Sequence, residues 1–170
     1  MGIPVYFKSL IDNYNNLLIP DSFFPDYPID YLFLDLNCAI HPCAHAVIKE
    51  YQEKTDSNSE PVKIDTLERE ILKRIVSKII ELVKLVKPTK LLYIAIDGVC
   101  PRAKMEQQRT RRYKTTLDPP KLWNTNAITP GTKFMEKLGN YIRQQIKIGQ
   151  IKTKCIFSDS IEPGEGEHKI

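Results

Sequence analysis

Three short apolar runs punctuate the chain: YLFLDLN at 31–37, KLLYIAI at 90–96 and KCIF at 154–157. Each is too short for a buried helix and rich in aromatic and β-branched residues, so each predicts a buried strand. Between them the apolar period changes to that of helices. The clearest helix is predicted over about 66–87, where Leu67, Ile71, Leu72, Ile75, Val76, Ile79, Val83 and Val86 recur at helical spacing. Asp65 with Glu68 reads as its capping box, and Lys87-Pro88 as its end. Thr129-Pro130 predicts the start of another helix with Phe134, Met135, Leu138, Tyr141, Ile142 and Ile146 on its buried side. Pro4 with Val5, Phe7, Leu10, Ile11 and Tyr14 predicts a short amphipathic helix, and 38–50 a further one. Residues 16–30, 51–63 and 115–128 are rich in breakers or polar residues and read as a connector and two loops.

Strands alternating with helices predict an α/β domain, its sheet mostly parallel and covered by helices on both faces. In such sheets ligands bind at the carboxyl ends of the strands. Asp35 and Asp97 end two apolar runs and are therefore expected in that crevice. After the third run comes EPGEGEHKI, with Glu165 and Glu167 two residues apart; an extended backbone would place both on one side, and the glycines permit a tight bend. Four converging carboxylates make a hard-oxygen site suited to Mg²⁺ or Mn²⁺. The competing expectation for Asp35 or Asp97 alone is a helix N-cap, and for the glutamates a solvated turn.

Charge sharpens this picture. The net charge is +4, but Arg102, Lys104, Arg109, Arg111, Arg112 and Lys114 stand against Glu106 alone between 102 and 114. The basicity is thus one patch. Lys104, Gln108, Arg111 and Arg112 fall at i, i+4, i+7 and i+8, so a helix lines them on one face. An ammonium, an amide and two guanidinium forks suit a phosphate. The rival is a solvated basic face.

The 170 residues fit one domain with a core of its own. Cys38, Cys43, Cys100 and Cys155 form no CxxC pair and read as reduced thiols of a cytosolic or nuclear chain. No signal-peptide core or apolar span indicates a membrane, and Tyr6 stands where a myristoylation signal needs Ser or Thr. Cys38, His41, Cys43 and His45 match no closed zinc spacing. His41, six residues after Asp35, reads either as a ring at the crevice edge for a base to stack on or as an ordinary histidine; Trp123 reads as a loop anchor.

The segments MGIPVYFKSL, LDLNCAIHPC, DGVCPRAKMEQQRTRR, NAITPGTKFM and EPGEGEHKI resemble, in order and over nearly the whole chain, the Xrn-type 5′→3′ exoribonucleases. The resemblance implies a PIN/FEN-like nuclease core that processively shortens single-stranded RNA bearing a 5′-monophosphate to nucleoside 5′-monophosphates, in RNA decay. By it Asp35, Asp97, Glu165 and Glu167 are catalytic metal ligands for two Mg²⁺ ions (or Mn²⁺). Lys104, Gln108, Arg111 and Arg112 form the 5′-phosphate pocket, and His41 stacks on the first base.

Further metal ligands of the family lie beyond the equivalent of Ile170, and the loop around 115–125 is shorter than usual. Residues 1–170 are accordingly expected to be the first part of such a core, incomplete at its C-terminal end. Its partners would be 5′-monophosphorylated RNA and the remaining core, supplied by a longer or separate chain. Cytoplasm is the expected compartment, with nucleus as the alternative. Two other functions stay open: a non-catalytic binder of RNA 5′ ends, and a flap-type DNA nuclease.

Overall fold

A computed structural model describes residues 5–14, 16–18, 28–58, 62–116 and 122–170. Helix α1 (Tyr6–Asn13) precedes strand β1 (Tyr31–Asp35), helices α2 (Asn37–Asn58) and α3 (Ile64–Val86), and strand β2 (Leu91–Ala95). Helix α4 (Arg102–Thr116), a 3₁₀ turn (Thr125–Ala127), helix α5 (Lys133–Lys147), strand β3 (Cys155–Ser158) and the short helix α6 (Gly166–Lys169) follow. The strands form one parallel sheet in the order β1-β2-β3, so the expected α/β architecture is present.

The core lies between the sheet and the helices α2, α3 and α5. Leu92 and Ile94 of β2 are fully buried there against Ile40, Ile71, Ile75, Leu138 and Ile142. Helix α3 gives the seam its length, because its apolar stripe runs unbroken from Leu67 to Ile79. Lys87 closes α3 in the left-handed conformation and Pro88 follows, as the sequence predicts. Trp123 is the expected anchor: it is buried edge-on against Phe134 at 4.9 Å, and its Nε1 donates to Glu68.

Several expectations are corrected. Helix α2 does not stop at residue 50 but runs to Asn58, because Tyr51 to Lys54 are tolerated helix residues and real breakers come only at Ser57-Asn58. Asp65 and Glu68 do not form a capping box. Helix α3 starts one residue before Asp65 with no side-chain cap, and both carboxylates instead accept from Lys137 of α5. Helix α5 begins at Lys133 rather than at Thr129-Pro130. Gly131 takes a positive φ of 86°, and Thr132 becomes the N-cap, accepting from the Met135 N–H at 3.3 Å. Helix α1 is present, with no buried residue. Pro4, most of the connector expected at 16–30 and positions 117–121 of the loop expected at 115–128 lie outside the described residues.

Helices flank the sheet as expected, though on the face away from the core Tyr31, Phe33 and Ile156 are 52, 48 and 46% exposed.

Candidate functional site

Parallel pairing brings the ends of β1 and β2 together, and the loops that follow carry the carboxylates. Asp35 is the last residue of β1, and its Oδ1 accepts the Asn37 N–H at 3.1 Å. The cap-like rival reading is thus partly realised at Asp35. Asp97, two residues past β2, is not the N-cap of α4, which begins at Arg102. Its Oδ1 accepts the Gly166 N–H at 2.7 Å, across 69 residues of sequence. Gly166 is therefore the point where the first two strand ends meet the third segment. A Cβ there would stand 2.6 Å from Asp35 Oδ1 and 2.9 Å from its Cγ, so only glycine admits the approach.

Glu165 and Glu167 flank that glycine, but not on an extended chain as expected. Glu165 keeps an extended backbone at the N-cap, while Gly166 opens the turn of helix α6 and Glu167 lies within it. The turn draws donor atoms of Glu165, Glu167 and His168 within 4.8 Å of one another. Asp35 and Asp97 flank this trio through Gly166. Glu165 is buried, and Lys104 of α4 makes an ion pair with it. Lys104, placed by spacing with the phosphate-binding face, is turned instead toward the carboxylates, and the bond to Glu165 raises its pKa.

A cleft of about 420 Å³ adjoins the carboxylates. Asp97 lies on its wall, together with Gln108, Arg111 and Arg112 of α4, His41 and His45 of α2, and Thr125, Asn126 and Thr129 opposite. Three of the four residues that helical spacing groups together thus share one cleft. Gln108 Oε1 accepts from Arg112 Nη2 at 3.0 Å, which leaves the amide NH₂ as its end for a ligand. His41 and His45 lie one helical turn apart on the same wall. Burial, reinforced by Arg111 and His45 and opposed by Asp97, lowers the pKa of His41, which favours its neutral ring. Cys43, by contrast, is buried and its Sγ points to the Arg74 carbonyl of α3, so the Cys/His cluster of α2 does not converge. The four cysteines are free thiols.

Sequence reasoning passed over three residues. Lys169 Nζ donates to the carbonyls of Ile96 and Asp159, each at 2.8 Å, and so ties the glutamate turn to the ends of β2 and β3. Asp159 is buried beyond β3 and pairs with Arg143 at 2.6 Å. Its place after an apolar run, like that of Asp35 and Asp97, was the available signal. His168 joins the glutamates, and nothing in its spacing marks it.

The carboxylates repel one another. Burial raises the pKa of Asp35 first, and the charges of Asp97 and Glu167 add to it against the opposing Asn37 N–H bond and Lys104. A folded-state pKa above the unfolded value means that the ionised form costs stability. That cost is absent below the unfolded pKa and complete above the folded one. Asp35→Asn is therefore expected to raise the melting temperature of metal-free protein at pH 7. The gain should vanish as pH falls through the acid range just above the ordinary carboxylate pKa. Melting curves at pH 7 and pH 4 check this; an equal gain at both would exclude the electrostatic cause.

An oxygen-rich anionic cluster that gains from a cation fits a hard divalent metal. The fold and site together define an α/β domain with carboxylates at the strand ends and a basic cleft beside them. The family model for the XRN 5′-3′ exonuclease N-terminus matches residues 1–122 and 116–170. The chain belongs to this XRN 5′-3′ exonuclease family, as its motifs led one to expect. It is 36% identical to "5′-3′ exoribonuclease 1" of Saccharomyces cerevisiae, over all of this chain and 12% of that protein. It is likewise 36% identical to the protein of that name of Schizosaccharomyces pombe, 14% of which it covers. To "5′-3′ exoribonuclease 2" of Arabidopsis thaliana it is 34% identical, covering 21%. The chain thus spans between about an eighth and a fifth of the length of these relatives.

Proposed function

We propose that this chain carries the 5′-phosphate pocket and part of the metal centre of a 5′→3′ exoribonuclease acting on 5′-monophosphorylated RNA. The observation that carries the reading is the single cleft in which Gln108, Arg111, Arg112 and His41 stand beside Asp97. Asp97 in turn is hydrogen-bonded to the glycine between Glu165 and Glu167. A terminal monophosphate seated on the guanidinium groups sets the next phosphodiester toward the carboxylates.

The residues divide the work. Arg111, Arg112 and the Gln108 amide bind and orient the terminal phosphate through charge-assisted hydrogen bonds. The neutral ring of His41 provides a flat surface for the first base. Asp35, Asp97, Glu165 and Glu167 are the residues that would hold Mg²⁺ or Mn²⁺, with His168 in reach of the same donors. Such an ion, when bound, supplies charge neutralisation and a more acidic water. Lys104 holds Glu165 at the boundary between the two halves, and Lys169 keeps the turn against the strand ends.

Fluorescence anisotropy on two oligoribonucleotides that differ only in a 5′-phosphate or 5′-hydroxyl tests the reading. The phosphorylated RNA is expected to bind more tightly. Arg112→Ala should weaken its binding by about tenfold, in the range of a lost hydrogen bond to a charged group, and leave the 5′-hydroxyl RNA nearly unchanged. Equal affinity of the parent for both ends would sink the proposal.

A further inference from the structure

The side chain of Glu165 is 6% exposed, at the N-cap of the turn that carries the second glutamate. A carboxylate removed from water in this way stays ionised only beside a compensating charge. The ammonium of Lys104 supplies that charge: its Nζ donates to Glu165 Oε2, while the lysine itself remains 30% exposed. Glu167 and Asp97 add to the attraction. The same Glu165 oxygen stands 3.9 Å from His168 Nδ1, within the trio whose donor atoms converge. Lys104 thus sits on a carboxylate that a divalent cation would need.

Lys104 has a second allegiance. It opens the row of Lys104, Gln108, Arg111 and Arg112 on α4, and Gln108 follows one turn later, about 6 Å along the axis. Helical side chains lean toward the N-terminus, so Gln108 leans toward the turn that bears Lys104. The other three members line the cleft, and Gln108 keeps its NH₂ for a ligand. A lysine carries a point charge on a flexible four-carbon stem, so rotation of that stem redirects Nζ while the helix stays still. One ammonium cannot serve both places. Nor can it share the Glu165 oxygen with a dication, because the two like charges would stand a few ångströms apart.

We infer that Lys104 is a positioning residue with two alternative partners: it neutralises Glu165 in the absence of metal, and passes to the terminal phosphate in the cleft when a divalent cation takes Glu165. This rests on the reading of the cleft as a 5′-phosphate pocket. Metal and 5′-phosphorylated RNA then tighten each other's binding by the same factor, because linkage is reciprocal. An RNA without the phosphate offers Lys104 no second partner, so the metal centre fills most readily when the correct end is seated.

Anisotropy in the presence of a chelator tests the exchange on 5′-phosphorylated and 5′-hydroxyl oligoribonucleotides. The proteins are the parent, Lys104→Met, Glu165→Gln and the double variant. Lys104→Met is expected to cost far less than Arg112→Ala, since Glu165 already occupies the lysine. Glu165→Gln should free Lys104 and tighten the phosphorylated RNA by at least about fivefold, with little effect on the 5′-hydroxyl RNA. The double variant should lose that gain. A gain that survives there overturns the inference, because loss of a negative charge then accounts for it. So does a Lys104→Met variant as impaired as Arg112→Ala, since Lys104 is then a permanent member of the pocket. Mn²⁺ titration by electron paramagnetic resonance adds a reading that does not depend on the folding of Glu165→Gln. Lys104→Met should tighten Mn²⁺ binding by at least about fivefold, as a competitor is removed. Weaker Mn²⁺ binding would make Lys104 a mere prop for Glu165 and overturn the exchange. Equal affinity of the parent for the two RNA ends strikes the cleft reading itself, whereas a kept preference with a failed cycle strikes the exchange alone.

Discussion

Gly98→Ala is expected to lower the melting temperature by roughly 6–12 °C, the consequence of about 3 kcal/mol of overpacking in a domain of this size. Gly98 is buried where the chain leaves β2. Its N–H donates to the Gly164 carbonyl at 2.8 Å, and the Gly164 N–H returns a bond to Val99 at 2.9 Å. This reciprocal pair clamps the segment carrying Asp97 onto the segment carrying the two glutamates. A Cβ on Gly98 would overlap the Glu162 carbonyl oxygen, with the carbonyl carbon at 2.8 Å and Pro163 Cα at 3.2 Å. Those are backbone atoms, so no side chain can swing aside to make room. Relief requires the two segments to separate, which also pulls Gly166 away from Asp97. Thermal melts followed by circular dichroism check the prediction; a shift under 2 °C would mean that the two segments are not held together as described.

Such contacts explain what was legible in the sequence. Strands, the α3 stripe and the shared face of Gln108, Arg111 and Arg112 are local patterns, fixed by period, and the structure bears them out. The same local logic placed Lys104 with the phosphate group. Only the approach of Glu165, 61 residues away, turns it toward the carboxylates. Asp65 and Glu68 have the spacing of a capping box, yet Lys137 offers them a cation and Trp123 a donor, and those long-range partners win. Gly98 carries no local signal in the sequence, and Gly166 reads there only as a glycine that permits a tight bend. Their meaning lies in the backbone and carboxylate that press against them, which no local window contains.

The uncovered sheet face belongs to the same category, with the sign reversed. Its apolar residues were read correctly as strand residues, but the pattern predicts burial, and Tyr31, Phe33 and Ile156 are about half exposed. A buried-strand pattern reports the residue types that a covered face requires and not the segment that covers it.

Asp97→Asn is expected to weaken Mn²⁺ binding by roughly 10–100-fold, the loss found when groups supporting a metal centre are altered, with a charge-bearing ligand toward the upper end. The substitution keeps an Oδ1 that accepts the Gly166 N–H, so the glutamate turn stays in place and the melting temperature should change little. What goes is one negative charge beside Asp35, whose pKa is raised first by burial and further by the charge of Asp97. The same charge lines the cleft beside Arg111 and Arg112. Its removal takes away a repulsion against an anionic ligand, so 5′-phosphorylated RNA should bind at least as tightly in the absence of metal. Mn²⁺ titration by electron paramagnetic resonance and RNA anisotropy, run on parent and variant, read the two effects apart. A parallel loss of both affinities would point to collapse of the turn, and an unchanged Mn²⁺ affinity would remove Asp97 from the metal centre. On the proposed function the split would arise because one carboxylate stands where two opposite demands meet: a bound metal would want its charge, and a bound RNA would be repelled by it.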